Sequence, residues 1–339
     1  MIATRSLRRA RVLIVGCGDV GMRALPLFQA RAAAPRVIAL THHPERADEL
    51  RAAGATPVPG DLDVRRSLRR LAGIARSVLH LAPPQRDGDT DRRTRALIAA
   101  LRRPRRSAAR GAQGRWQRPA RPGRTAFIVP DAPGATTKRR GPCGSPLRFV
   151  YASTTGVYGD YGGAWIDETR PARPENERAR RRVSAEGQLR AAGRKSGWRV
   201  SIVRIPGIYA GNRLPIARIE KGMPALVEDD DVYTNHVHAD DLAAILVRAL
   251  SRGWPQRVFN ASDDTDLRMA DYFDRVADAY GLPRVPRISR EQAQTRLEPI
   301  TLSFMRESRR LSNARLKREL RYVLRHPSVD EFLRANARR

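Results

Sequence analysis

Two cysteines, Cys17 and Cys143, in 339 residues are too few for a disulfide framework or a cysteine-based metal site. Aromatic residues make up 6% of the chain, which leaves few stacking platforms of the kind that single-stranded nucleic acids require. No apolar run approaches the roughly 20 residues of a membrane-spanning helix. The basic N-terminal stretch leads through a short apolar run into glycines, so a secretory leader is not expected either. Acid is scarce as well: 35 Asp and Glu stand against 65 Lys and Arg, for a net charge of +30. Lysine occurs only at Lys138, Lys195, Lys221 and Lys317, so arginine carries almost all of the excess. Arginine accompanied by abundant alanine, glycine and proline reads as a coding bias, which needs no polyanionic partner to explain it. These absences predict a cytoplasmic protein without a membrane or nucleic-acid partner. A small-molecule ligand remains, with a homodimer left open.

What is present is an α/β pattern with an informative start. Val12, Leu13, Ile14 and Val15 form the short apolar run of a central parallel strand. Gly16, Gly18 and Gly21 follow at the G-x-G-x-x-G spacing, and a helix begins among them. Glycine at these positions allows a tight turn, close approach of a pyrophosphate to the backbone, and close helix–sheet packing. The helix start, with Asp19 and Val20, aims its amides at the phosphates. Cys17 sits inside the turn, where a small side chain fits.

Strands are predicted near 11–15, 36–41, 56–58 and 77–81, and helices near 19–32, 44–53, 63–71 and 90–101, with Pro26 inside the first helix. Such alternation implies right-handed βαβ units and a doubly wound parallel sheet of Rossmann type. Residues 102–147 break the pattern: from Arg102 to Arg140, twelve Arg and Lys face the single acid Asp131. That insert is too long for a loop and is expected to be a disordered or loosely held excursion. Within it, Thr125 to Val129 could add an edge strand and Trp116 an anchor. Strands resume at 148–152 and 199–205, separated by a helix over 176–196. Later elements are a helix near 239–251, a strand near 258–261, a helix near 269–280 and a helical tail over 311–333. The expected division is a dinucleotide-binding domain over 1–205 and a smaller C-terminal substrate lobe over 206–339.

Several segments together resemble the extended short-chain dehydrogenase/reductases of the NAD(P)-dependent epimerase/dehydratase family. They are the glycine turn, Gly60-Asp61-Leu62, His80-Leu81-Ala82-Pro83, Ser153-Thr154-Thr155-Gly156-Val157-Tyr158-Gly159, Arg204-Ile205-Pro206-Gly207-Ile208-Tyr209, and Asn235-His236-Val237-His238-Ala239-Asp240-Asp241. The resemblance implies that Asp61 and Leu62 meet the adenine, that Leu81, Ala82 and Pro83 line the cofactor toward its nicotinamide, and that Pro206 closes over it. At the end of the second strand, Thr41-His42-His43-Pro44-Glu45-Arg46 offers no acid in the place where NAD enzymes hold the ribose hydroxyls. His42 and Arg46 suit a 2′-phosphate, so NADP is slightly favoured over NAD.

The same resemblance places Thr154 against the substrate's reacting oxygen and Ser153 beside the nicotinamide. It departs at the catalytic helix. With Glu186 fixing the register, the family's Tyr-x-x-x-Lys falls on Arg178 and Arg182. Arginine stays charged and cannot act as an acid or base, although Arg182 could still hold the ribose or a phosphate. Tyr158, Tyr161 and His238 are the alternative proton-transfer groups. The chain is then an enzyme with another acid/base, an atypical branch that needs no strong base, or a non-catalytic NAD(P)-binding sensor. Arg213, Asn235 and His238 are expected to face an anionic, sugar-like substrate. His236 and His238 lie near acids, but a third metal ligand is missing, so no metal is expected.

Overall fold

The computed structural model describes residues 9–102 and 146–336. The insert expected over 102–147 therefore falls almost wholly outside the described residues, together with Trp116, Thr125 to Val129 and Cys143.

Seven parallel strands make the central sheet: β1 (Arg11–Val15), β2 (Arg36–Thr41), β3 (Thr56–Pro59), β4 (Ser77–His80), β5 (Arg148–Thr154), β6 (Arg199–Ile205) and β7 (Arg257–Asn260). Their spatial order is β3-β2-β1-β4-β5-β6-β7, the doubly wound Rossmann arrangement. The unbroken apolar run of β1 follows from burial on both faces. Val12 and Ile14 point into one core with Val37, Leu79 and Phe259, while Leu13 and Val15 point into the other with Ile38, Val78 and Phe149.

Helices α1 (Asp19–Gln29), α2 (Ala47–Ala52), α3 (Arg92–Leu101) and α4 (Glu177–Ser196) belong to the first two-thirds of the chain. The helix expected over 63–71 is reduced to a short 3-10 turn at Ser67–Leu71. β4 ends at His80 because the amides of Leu81 and Ala82 both converge on the Val15 carbonyl, at 2.8 and 2.9 Å. α4 has a low apolar content yet is well delimited. Asn176 accepts the Ala179 amide at its start, and Gly197 takes the left-handed conformation, φ 66°, at its end.

Beyond Ile205 the chain supplies both the sheet's layers and a separate lobe. α5 (Ile216–Glu220), α7 (Met269–Tyr280) and α11 (Val329–Asn336) share a core around Tyr209, Phe273 and Phe332. Short α8 (Arg290–Arg296) and α9 (Pro299–Phe304) enclose Leu226, Ile288 and Met305. In contrast, α6 (Ala239–Arg252) and α10 (Ala314–Leu320) cover the same sheet face as α1, and β7 extends the sheet itself.

The fully buried Asp241 of α6 fastens the C-terminal segment onto this layer. Its carboxylate accepts from the Tyr322 hydroxyl at 2.6 Å and from the amides of Arg325 and His326 at 2.8 and 2.9 Å. Asp241→Ala leaves three donors without their acceptor. The expected loss is about 3 kcal/mol of unfolding free energy, to be measured by urea denaturation.

Candidate functional site

Strand order reverses between β1 and β4, and the crevice at their carboxyl ends is where open α/β sheets bind ligands. The glycine turn lies on its rim. Gly16 has φ +85°, and a Cβ there would stand 2.5 Å from the Ala82 nitrogen, so both conformation and space demand glycine. At Gly21 a Cβ would stand 3.1 Å from the Cys17 sulfur, which lets α1 seat closely. Burial pushes the Cys17 thiol up to about 11, so it is an inert filler of the turn. At Gly18, by contrast, a Cβ would meet nothing within 4 Å. The backbone at Gly18 is thus open on the side where α1 begins, and the turn fits a pyrophosphate.

The other residues expected around this crevice are distributed as follows. Arg46 reaches back across the turn, donating to the Cys17 carbonyl at 2.8 Å while paired with Glu49. His42 is exposed and rests against His43, with ring centroids 3.8 Å apart. Asp61 accepts the Asp63 amide at 2.9 Å, and Leu62 is buried against the sheet. Pro83 is exposed, and its carbonyl accepts from Arg93 at 3.2 Å. Asp19 is engaged by Arg23 of its own helix and by Arg213, whose Nε lies 2.9 Å from the second carboxylate oxygen. Arg213 therefore clamps the start of α1 and lines neither of the two cavities that open off the crevice.

Two cavities open off the crevice. The first, of about 240 Å³, is mostly apolar and is lined by Val20, Leu81, Ala152, Ser153, Ile208 and Leu242, among others. The second, of about 300 Å³, lies toward the C-terminal lobe and is termed the polar cavity for the charged and polar side chains in its wall, Arg178, Asn235, Glu307 and Arg309 beside Gly156, Tyr233 and Phe304. Thr154, Arg182 and Pro206 line both.

Thr154 stands at the junction because β5 ends there, and its Oγ1 accepts the Gly156 amide at 3.3 Å. Ser153 is turned away, donating at 2.6 Å to buried Glu186. Glu186 in turn pairs with Arg204 at 2.8 Å, and that guanidinium lies 4.5 Å from the Tyr158 ring. Tyr158 lines neither cavity: it is fully buried, its phenol donates to Asn260 at 2.7 Å, and burial raises its pKa. Its surroundings are those of a packing residue. Tyr161 donates to the Pro171 carbonyl, away from both cavities.

α4 contains no tyrosine, and Arg178 and Arg182 are its residues in the polar cavity. Arg182 is held by neutral acceptors, the Ala152 carbonyl at 2.7 Å and the Tyr151 hydroxyl at 3.2 Å. Asn235 lines the cavity, but its amide is occupied, donating to the Arg309 carbonyl and accepting from the Leu311 amide. His238 lies outside both cavities. Its Nδ1 caps α6 by accepting the Asp240 amide, and burial beside His326 pushes its pKa down to about 4.

The site also holds a group that sequence reading passed over. Glu307 is the single carboxyl in the polar cavity wall among the described residues. It accepts from Arg309 at 2.9 Å and from Asn176 at 3.2 Å, and burial raises its pKa. No local signal marks it, because it lies in an irregular segment 131 positions from Asn176.

Comparison with known proteins agrees with this architecture. A family profile described as the NAD dependent epimerase/dehydratase family matches residues 135–262. GDP-6-deoxy-D-mannose reductase of Pseudomonas aeruginosa is 29% identical over 145 residues, covering 38% of this chain and 48% of the relative. Human dTDP-D-glucose 4,6-dehydratase is 23% identical over 128 residues, covering 35% and 37% respectively. These matches thus span half or less of the curated relatives. Along the whole fold, a conserved protein of unknown function from Silicibacter pomeroyi aligns with TM-score 0.70 and 26% identity, covering 97% of this chain and 98% of that one. The dTDP-glucose 4,6-dehydratase DesIV of Streptomyces venezuelae, solved with NAD bound, aligns with TM-score 0.67 and 19% identity over 97% and 96% of the two chains. No helix among the described residues is long and apolar enough to cross a membrane. The glycine turn, the cavities at the sheet's switch point and the whole-chain structural alignments show a Rossmann-type fold, and over residues 135–262 the chain is similar to the NAD-dependent epimerase/dehydratase family.

Proposed function

We propose that this protein binds NAD(P) across the β1–β4 crevice and acts as an oxidoreductase, epimerase or dehydratase on a nucleotide-linked sugar held in the polar cavity. One observation carries the reading: an apolar cavity next to the glycine turn and a polar cavity next to the lobe meet at Thr154, Arg182 and Pro206. A nicotinamide in the first would supply hydride exchange at a carbon presented from the second. The structure of MoeE5 in complex with UDP-glucose and NAD, which aligns at TM-score 0.65, supports the ligand pair by analogy of fold.

Within this arrangement the Thr154 hydroxyl donates a hydrogen bond to the reacting oxygen and polarises its carbon. Arg182, at the position of the family's lysine, holds the cofactor ribose from α4. Arg178, at the position of the tyrosine, cannot take a proton. That task passes to Glu307, whose burial favours the neutral acid and brings its proton affinity toward that of a useful general acid/base. The cofactor's 2′ position is assigned to His42 and Arg46, because β2 ends at Thr41 rather than at an acid; Arg46 would share its guanidinium between a phosphate and Glu49. The phosphorylated cofactor is therefore the better ligand.

Thermal unfolding with each of NAD, NADH, NADP and NADPH tests the cofactor half. The midpoint should rise, more with NADP(H), as expected for ligands that bind only the folded state. Gly18→Val should leave the unliganded midpoint near wild type and abolish the rise, since its Cβ meets no atom of the free protein. Gly16→Ala should lower the unliganded midpoint itself, with strain of roughly 1–3 kcal/mol from the positive φ alone. A rise of equal size in Gly18→Val would remove the phosphate turn from the proposal.

Catalysis is tested by following nicotinamide absorbance during incubation with a panel of nucleotide-linked sugars. Thr154→Val is expected to lower kcat by about 10²-fold, and Glu307→Gln by roughly 10²–10⁴-fold. Cofactor binding without turnover of any sugar would support the non-catalytic sensor instead.

A further inference from the structure

Most arginines around the crevice have a carboxylate partner: Arg23 with Asp19 and Asp240, Arg46 with Glu49, Arg93 with Asp63, Arg204 with Glu186. The polar cavity departs from this pattern. Three guanidiniums line it, those of Arg178, Arg182 and Arg309, against the single carboxylate of Glu307. Glu307 is committed to Arg309 and Asn176. Among the described residues, Arg182 has only neutral acceptors. Arg178 makes no hydrogen bond and no ion pair among the described residues; its guanidinium lies over the Phe304 ring, 4.5 Å from the centroid. Burial disfavours its charge, and Glu307 opposes that only from a distance.

Arg178 and Arg182 are also one helical turn apart, a spacing at which like charges repel. Arg178, exposed at the cavity mouth, and half-buried Arg182 thus stand side by side without a carboxylate hydrogen bond among the described residues, and a bound anion would supply the missing partner. The planar fork of a guanidinium matches a carboxylate in particular. The vacant volume beside them adjoins Thr154 and Gly156, and the Cβ position at Gly156 is 3.7 Å from both Thr154 Oγ1 and Glu307 Oε2.

We infer that the polar cavity binds a carboxylate carried by the reacting sugar, with Arg178 as its ion partner and Arg182 adding positive potential from the next turn. The preferred ligands are therefore acidic sugars such as uronates, and the anion lies at the reacting ring in addition to any diphosphate elsewhere. The inference rests on the nucleotide-sugar reading for the ligand's identity as a sugar, but not for the anion site. Glu307 works against the bound carboxylate, so its removal has an effect opposite in sign to that of removing Arg178. Arg309 on the same irregular segment, Arg178 on α4 and Glu175 before α4 are the charged groups that face Glu307.

Calorimetric titration of the protein, with NAD present, would compare UDP-glucuronate with UDP-glucose and free D-glucuronate with D-glucose. The acid should bind at least tenfold more tightly than its neutral partner in each pair. Arg178→Gln should bring the two to parity while its unliganded thermal midpoint stays at or above wild type. Glu307→Gln should widen the preference. Equal affinity for acid and neutral sugar in the wild type overturns the inference, as does a preference that survives in Arg178→Gln. If neither UDP-sugar binds but glucuronate still exceeds glucose, the nucleotide-sugar reading fails and the carboxylate site stands. If no acid binds at all, both fail.

Discussion

The buried pair of Glu186 and Arg204 is the interaction on which the site's geometry depends. Both side chains are about 95% removed from solvent, with side-chain exposures of 5% and 6%. Glu186 belongs to α4 and Arg204 to β6, while Ser153 of β5 donates to the same carboxylate, so three elements meet on one group. Arg204 then lies over the Tyr158 ring, and Tyr158 donates to Asn260 of β7. A pair of this kind adds little net stability over an apolar substitute, because desolvation offsets most of the Coulombic gain. Its value lies in geometry. Without it, α4 is a mostly polar helix with little apolar surface to set its rotation on the sheet. With it, the first turns of α4 carry Arg178 and Arg182 to the cleft, and the Ser153 hydroxyl is tied to Glu186 while Thr154 stands at the junction of the two cavities.

The sheet was legible in the sequence because its strands obey strong local rules. The double-sided burial of β1 requires an unbroken apolar run, and the phosphate turn requires glycines at fixed offsets; both can be read without knowing any partner. The bounds of β6 at Arg199 and Ile205 and of α7 at Met269 and Tyr280 were accessible for the same reason. Residues 63–71 misled because their periodic leucines, Leu68 and Leu71, do pack under the sheet, but a single 3-10 turn is enough to place them.

The site was less legible, and the reason is pairing across long separations. Ser153, Tyr158, Arg213 and His238 are chemically competent residue types, and each was a reasonable candidate. Ser153 still lines the apolar cavity, but its hydroxyl is committed to Glu186, 33 positions away; Tyr158 is held out of both cavities by Asn260, 102 positions away, and His238 by its local cap on Asp240. Glu307 presents the converse case. Its surroundings are supplied by Asn176 and Arg178 of the α4 start, and nothing near it in the chain announces that it will be buried.

Arginine at two consecutive turns of α4 changes the division of labour in the fold. A tyrosine–lysine pair would let one helix both hold the cofactor and move the proton. Two guanidiniums can only hold, because neither changes protonation in the working range of pH. In the proposed reaction, proton handling would then come from outside the sheet's own layers, and among the described residues the cavity's one carboxyl arrives on the segment that follows α9. That segment is fixed to the same region from both sides: Asn235 grips the backbone of Arg309 and Leu311, and Arg309 donates to the Gly159 carbonyl just after the Thr154 turn. The lobe is thus built into the wall of the polar cavity, and the chemistry proposed here depends on its contact with β5 and α4 as much as on the glycine turn.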